Sequence, residues 1–500
     1  MLLSRPQMRF KADLRERSIV VKIPRKKRNM MSRLIHNVHP FPLNDSSMKD
    51  LLLQDSRTSR RQFLHTSGAF ALGFVGLHSL VGCQNFTAQA KDRFGPLISD
   101  PEGIMDLPEN FSYKVISRMG DRMDDGFYVP GAADGMATFS GPQGETILIR
   151  NHEVNPDADP MMGAFGEKND LLDRLDSNFF YDAGTDGSPA LGGTTTLVYD
   201  THNQQLVSQF LSLAGTLRNC AGGPTPWNTW MTCEEITVLA GDRFAKDHGY
   251  VFQVPATISP QVTPAVPIRA MGRFNHEAVA VDPITNIIYQ TEDEHDSLIY
   301  RYIPENPEDV EAGGQLQALQ VVGMPSLDTR NWDAQNVNVG EIMNVTWINM
   351  DDGEAPMGDL RLRGFDKGAA MFARGEGMWY GNHAVYFACT NGGNAKRGQI
   401  WKLNPTEDTL ELFIEPNDPG LIENADNLTV TPWGDLIVCE DGSNEQFLVG
   451  VTPQGELYKF ARNAVSHSEL AGATFSPDGT TLFVNIQHDG LTLAIMGPWT

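Results

Sequence analysis

Short apolar runs, each interrupted within a few residues by Gly, Pro, Asn or Asp, recur from about residue 95 to the end of the chain, and they limit its fold more than any other feature. The runs at 146–150, 194–199, 286–290, 384–390, 399–403, 436–440 and 481–486 have strand length. Apolar positions at helical spacing are nearly absent. The segments 287–304, 384–405, 436–461 and 482–487 repeat one beat, an apolar strand followed by polar or acidic residues and mostly a second strand. Propeller blades read this way, with strand ends gathered toward a shared axis. The chain is therefore expected to be all-β, a six-bladed β-propeller with long inter-blade insertions at 155–192 and 305–370. Its irregular period leaves blade number the least constrained part of that reading.

Within this frame the stretch 218–235, RNCAGGPTPWNTWMTCEE, carries the most chemistry. It sets Cys220 before a Gly222-Gly223-Pro224 corner, spaces Trp227 and Trp230 along the strand, and ends in Glu234 and Glu235. A soft thiolate at one end and hard oxygens at the other suit a mixed metal site. Similar groups stand at other strand ends: Arg150-Asn151-His152-Glu153, Phe274-Asn275-His276-Glu277, Glu292-Asp293, Arg374-Gly375-Glu376, Asp426-Asn427 and Glu440-Asp441. Brought to one axis, so many carboxylates would repel one another and hold protons unless cations neutralised them. Zinc would call for more His and Cys, calcium prefers oxygen, and a lone thiolate among carboxylates suits iron. Each group also has a structural reading. His152 and His276 could be hydrogen-bonded core histidines, Cys220 a buried thiol, the 234–235 pair a solvated strand end, and Arg374 an ion-pair partner of Glu376. Cys233, Cys389 and Cys439 lie in apolar strands and read as core.

Charge narrows the partners. The first 90 residues hold 15 Lys and Arg against 5 Asp and Glu, leaving 24 against 58 beyond Ala90, so the body carries about −34. Such a body has no basic face for phosphate backbones, which excludes nucleic acid as a partner. Residues 59–64, SRRQFL, precede a weakly hydrophobic 68–81 run and match a twin-arginine export signal, implying the export machinery as a partner. The run is too short to span a bilayer. Cys83 ends a lipoprotein-type box and would carry a lipid anchor; 88–90, Ala-Gln-Ala, offers a competing cleavage site. The expected organisation is an N-terminal extension with export signal at 1–90 and one catalytic propeller domain at 91–500. Its expected location is the periplasm, the outer membrane or the medium.

The blocks RNHE (150–153), NCAGGPTPWNTWMTCEE (219–235), GRFNHEAVAVDP (272–283), ARGEGMWY (373–380), DNLTVTPWGDLIVCEDG (426–442) and FSPDGTTLFVNIQ (475–487) resemble those of the PhoX-type alkaline phosphatases, in the same order. Asn275, where a small residue is expected, and His488-Asp489-Gly490, where a proline is expected, depart from that pattern. The resemblance implies a monomeric propeller that hydrolyses small phosphomonoesters with two ferric irons and two or three calcium ions. Residue by residue, it makes Cys220, Glu235, Glu277 and Glu376 the set at the irons and Arg374 the phosphate clamp, with Arg374 and Glu376 as the catalytic pair. Asn151, Glu153, Glu234, Asp426, Asn427, Glu440 and Asp441 become the calcium shell. A calcium-dependent propeller hydrolase of lactonase type and a calcium-stapled binding protein are the competing readings.

Overall fold

The computed structural model describes residues 93–499 except 186 and 308. The paired arginines Arg60 and Arg61, Cys83 and the 88–90 site lie outside the described residues. Six strands, Ala133–Ser140, Asn219–Pro224, His276–Val281, Gly375–Gly381, Ala425–Val430 and Leu470–Phe475, form the innermost layer. Each packs on the next, and the last returns to the first, so the ring closes. From each inner strand an antiparallel meander runs outward, as in Ala133–Ser140, Thr146–His152, Gly192–Asp200 and Gln205–Thr216. The all-β propeller expected from the strand beat is the fold observed.

The inner strands read as continuous apolar or small-residue runs because both faces are covered: every residue of His276–Val281 and of Leu470–Phe475 is buried. Farther out, Thr409–Ile414 alternates half-buried and buried positions, the period-2 signature of a strand with one wetter face. Near the axis the backbones are too close for ordinary side chains. A Cβ at Gly377 would lie 2.7 Å from the Asn427 Cα, so only glycine fits.

Five hydrogen-bonded sheets form, because Ile342–Asn349 pairs with Asp309–Val321 on one side and Thr409–Ile414 on the other and fuses two meanders into one nine-stranded sheet. This corrects the expectation for 305–370. Far from being purely an insertion, that stretch supplies both of the strands Asp309–Val321 and Ile342–Asn349, together with the α-helix Leu360–Asp366. The 155–192 stretch is irregular as expected. It holds three short 3-10 turns and buries Phe165, Phe180 and Leu191 against Met123 and Phe127.

The start of the described chain locks its end. Ser112–Arg118 pairs with Leu491–Met496, and Met105–Pro108 pairs with Leu457–Asn463. Phe94, Phe111, Phe460 and Trp499 seal this seam through edge-to-face and tilted contacts at 4.9–6.2 Å. Among the described residues no helix is long and apolar enough to cross a membrane.

Candidate active site

All six inner strands begin with the same irregularity: three residues stand opposite two of the neighbouring strand. Ala133 and Met136 face His152 and Arg150, Asn219 and Gly222 face Glu234 and Thr232, and the pattern recurs at His276/Val279, Gly375/Met378, Ala425/Leu428 and Ala471/Thr474. A bulge of this kind re-aims the side chain inside it. The residue re-aimed is Asp134, Cys220, Glu277, Glu376 or Asp426 in five strands and Gly472 in the sixth. Gly472 has φ +66°, and a Cβ there would lie 2.3 Å from the Asp134 carbonyl oxygen, so ring closure leaves no room for a sixth ligand.

The second strand of three of the meanders adds to this ring through its parity. Successive residues of a strand point to opposite sides. In the doublets His152-Glu153, Glu234-Glu235, Glu292-Asp293 and Glu440-Asp441 the first member turns into the wall and the second toward the mouth. Glu234 accepts hydrogen bonds from the Leu217, Gly249 and Tyr250 N–H groups at 2.8–3.2 Å and from His248 Nδ1 at 2.6 Å. Against the cost of burial, Glu234 and Asp182 lift the His248 pKa to about 9. Glu292 accepts from the Tyr300 hydroxyl at 2.9 Å, and Glu440 from the Glu423 and Phe447 N–H groups at 2.8 and 3.0 Å. Their neighbours Glu235 and Asp441 join the ring.

The result is a chain of four triads: Asp134, Glu153 and Cys220; Cys220, Glu235 and Glu277; Glu277, Glu376 and Asp426; Asp426, Asp441 and Glu469, with the donor atoms of each triad within 4.8 Å of one another. Eight carboxylates and one thiol converge, and adjoining triads share Cys220, Glu277 or Asp426. Burial, then mutual repulsion, holds the Asp134, Glu235, Glu277, Glu376 and Glu469 carboxyls well above the usual range. Asp426 is pushed up to about 7, by burial first and then by Asp441. Burial and the surrounding acids raise the Cys220 thiol, whose Sγ donates to Glu277 Oε1 at 3.2 Å. Asp134 Oδ1 and Glu277 Oε2 are buried without a hydrogen-bond donor. Buried, unpaired carboxylate oxygens cost several kcal/mol each unless a cation meets them, so this donor set fits metal ions.

Above the ring lies an open depression of about 530 Å³ whose wall includes Arg218, Glu235, Asn275, Asp293, His295 and Arg374. Arg374 holds Asp293 as a fork, Nε to Oδ1 and Nη2 to Oδ2 both at 2.7 Å, and reaches Glu376 Oε1 at 2.8 Å. Arg218 Nη2 pairs with Glu153 Oε1 at 2.5 Å and with Glu235. Two guanidiniums therefore face an otherwise acidic basin.

A family model described as alkaline phosphatase PhoX matches residues 92–490. The chain belongs to the PhoX alkaline phosphatase family. It is accordingly a phosphoric monoester hydrolase. Among solved structures, Pseudomonas fluorescens PhoX in complex with vanadate, a transition state analogue, is similar at TM-score 0.60 and 18% identity, covering 80% of this chain and 97% of that one. Virginiamycin B lyase from Staphylococcus aureus and a gluconolactonase from Xanthomonas campestris align at TM-score 0.37 with 9% and 10% identity, covering 77% and 81% of this chain and 99% and 98% of theirs. No curated protein matches by sequence.

Of the residues singled out in this PhoX-family sequence, Glu153, Cys220, Glu235, Glu277, Glu376, Asp426 and Asp441 meet in the ring, and Arg374 borders it. Four do not stand where the sequence reading put them. Both Glu234 oxygens and both Glu440 oxygens are taken by the donors named above. Asn151 is buried in the scaffold, donating to the Cys220 and Ala221 carbonyls at 3.0 and 2.7 Å and accepting from Trp230 Nε1 at 2.8 Å. Asn427 donates to Asp426 at 2.9 Å and accepts from the Gly472 N–H, which makes it a support for Asp426. His152 and His276 are buried, hydrogen-bonded and driven toward the neutral form by burial. Asp134 and Glu469 were not assigned a site role from sequence, and Asp293, read there as a candidate ligand, is the partner of Arg374. Laying the six bulged strands over one another would have found Asp134, because it precedes Gly135 as Glu376 precedes Gly377.

Proposed function

We propose that this phosphatase is an exported, metal-dependent enzyme acting on small phosphomonoesters, and that its ring holds two ferric irons and two or three calcium ions. The observation that carries the proposal is the convergence of eight carboxylates and one thiol, two of their oxygens buried and unpartnered, beneath a depression edged by two arginines. Cys220, Glu235, Glu277 and Glu376 would hold the irons, since a thiolate among carboxylates suits that ion. Glu153, Asp426 and Asp441, with Asp134 and Glu469, offer oxygen only and would hold calcium.

Electrostatics dictates the order of events. A phosphate monoester is anionic and is repelled by an acidic basin whose two guanidiniums cannot balance eight carboxylates. Bound cations would supply the Lewis acidity and the positive charge that the ring itself lacks. Arg374, its plane fixed by the Asp293 fork, would bind and orient two phosphoryl oxygens as planar guanidiniums do. Asn275 and His295 face the same depression and would meet the leaving group. The SRRQFL segment supports export by the twin-arginine route as a folded monomer, with a lipid anchor at Cys83 or cleavage after Ala90.

Elemental analysis of purified protein beside para-nitrophenyl phosphate hydrolysis tests the proposal. Iron and calcium are expected in the stated ratio, and Cys220→Ser and Glu376→Ala should lose iron and activity together. Undiminished phosphate release from metal-depleted protein would refute it.

A further inference from the structure

We infer that Arg218 is a second phosphoryl clamp, acting on the same pocket as Arg374. The inference rests on the phosphatase reading above and adds a substrate-binding residue that the sequence blocks do not single out.

The argument begins with backbone equivalence. In five of the six meanders the residue two before the re-aimed side chain accepts a hydrogen bond from the residue leaving the second strand. Glu235 N–H donates to the Arg218 carbonyl at 2.9 Å, Asp293 N–H to Asn275 at 3.1 Å and Thr390 N–H to Arg374 at 3.1 Å. The preceding meander secures both arginines in the same way: Arg218 N–H donates to Val154 O at 3.2 Å and Arg374 N–H to Glu294 O at 3.0 Å. Arg218 and Arg374 thus occupy the same position two meanders apart, with Asn275 at that position between them. All three border the one depression.

Both arginines also hold left-handed backbone, φ +43° and +50°, a conformation uncommon outside glycine and kept only where the surroundings demand it. Each precedes a ring residue by two positions, Cys220 or Glu376. Each is ion-paired to two acids of the basin, and each side chain is only 27% or 31% exposed.

They differ in how much bonding capacity is spent. Arg374 spends its Nε–Nη2 edge on Asp293 and shares Nη2 with Glu376. Arg218 Nε is buried without a partner, and Nη1 reaches only Asn155 Oδ1 at 3.2 Å. The acids that Arg218 holds, Glu153 and Glu235, are ring members. Cations taken up by those carboxylates would release the guanidinium, which then has donors to offer to an anion above the ring. A phosphoryl group has three non-bridging oxygens, and a single fork satisfies two of them. The second clamp meets the third.

The test compares wild type, Arg218→Gln and Arg218→Lys, each metal-loaded and normalised to metal content. It measures inorganic phosphate binding by calorimetry and the KM for para-nitrophenyl phosphate and glycerol phosphate. Arg218→Gln should weaken phosphate binding and raise both KM values by the same factor, about 10- to 100-fold as expected for a lost charge-assisted bond, with kcat falling less. Arg218→Lys, which keeps the charge and the ion pairs, should recover part of the loss and covers the case in which the Gln variant does not fold. Unchanged phosphate affinity in loaded Arg218→Gln, or a loss of metal with unchanged affinity per loaded site, would overturn the assignment and leave Arg218 as a brace for Glu153 and Glu235. Failure of the phosphatase reading itself looks different: loaded wild type would neither bind nor release phosphate.

Discussion

The mouth of the axis and the wall one residue behind it are built from nearly the same side chains, yet they do opposite things. Glu235 and Asp441 at the mouth crowd other acids, and Glu235 is held from ionising by burial and by Glu153. Glu234 and Glu440 in the wall are more deeply buried but have a donor for each oxygen. Composition therefore does not separate a ligand from a brace. Hydrogen-bond supply does: a carboxylate saturated by N–H groups has nothing left for a cation, whereas one with an empty lone pair beside another acid requires one.

This contrast can be broken by substitution. At the mouth, Cys220→Ser or Glu376→Ala should cut phosphomonoesterase activity by more than about 100-fold, above the range seen for groups that merely support metal ligands. Fold should be retained, checked by circular dichroism beside the rate assay. In the wall, Glu234→Ala should act on stability. It strands His248 and three buried N–H groups and should cost roughly 3–5 kcal/mol in denaturant unfolding. Metal content per folded molecule should stay at the wild-type value; if it falls in step with that of Glu376→Ala, mouth and wall are not distinct.

Chelation sharpens the comparison. Ions present at about 100 times their dissociation constant stabilise a protein by roughly 2.7 kcal/mol per site, so stripping them should lower the melting temperature. Glu277→Gln removes one of the repelling charges, and stripped Glu277→Gln is expected to melt above stripped wild type. Equal melting temperatures would mean that repulsion in the ring is not what the ions relieve.

The smallest effect concerns Glu292, a wall residue. Burial, offset in part by Arg361 and the Tyr300 hydroxyl, pushes its pKa up to about 8 from an ordinary 4.5. A carboxyl that binds its proton more tightly when folded contributes stability below its unfolded pKa, and that contribution is lost as pH rises through the folded value. Wild type should therefore lose part of its stability between pH 4.5 and about 8. Glu292→Gln should flatten that part of the profile and melt a few degrees higher at pH 8, measured by thermal scans across the range.

Much of the fold was legible in the sequence because strand length and turn residues are local properties. The 146–150, 384–390 and 436–440 runs form strands, as they were read to, each the second of its meander. The strands Asp309–Val321 and Ile342–Asn349 were not legible. Polar residues at alternate positions and a Gly-Gly pair disguise the first, and the second is defined by partners on both sides of it in space. In the site, Cys220, Glu277 and Glu376 were readable because each lies in one of the blocks that resemble the PhoX family. Asp134 and Glu469 lie outside those blocks, and the one local cue, Gly135 after Asp134, gains meaning only once the bulged strands are laid over one another.

The chain alone determined which residue types could gather: apolar runs punctuated by Gly, Pro, Asn and Asp make strands, and acidic doublets at their ends bring oxygen donors to one face. Which member of a doublet would face the axis was decided only in three dimensions. A single extra residue in each inner strand sets the side-chain direction at the mouth, and a shift of one position in a strand sends a carboxylate to the other side of the sheet, where backbone N–H groups take it up.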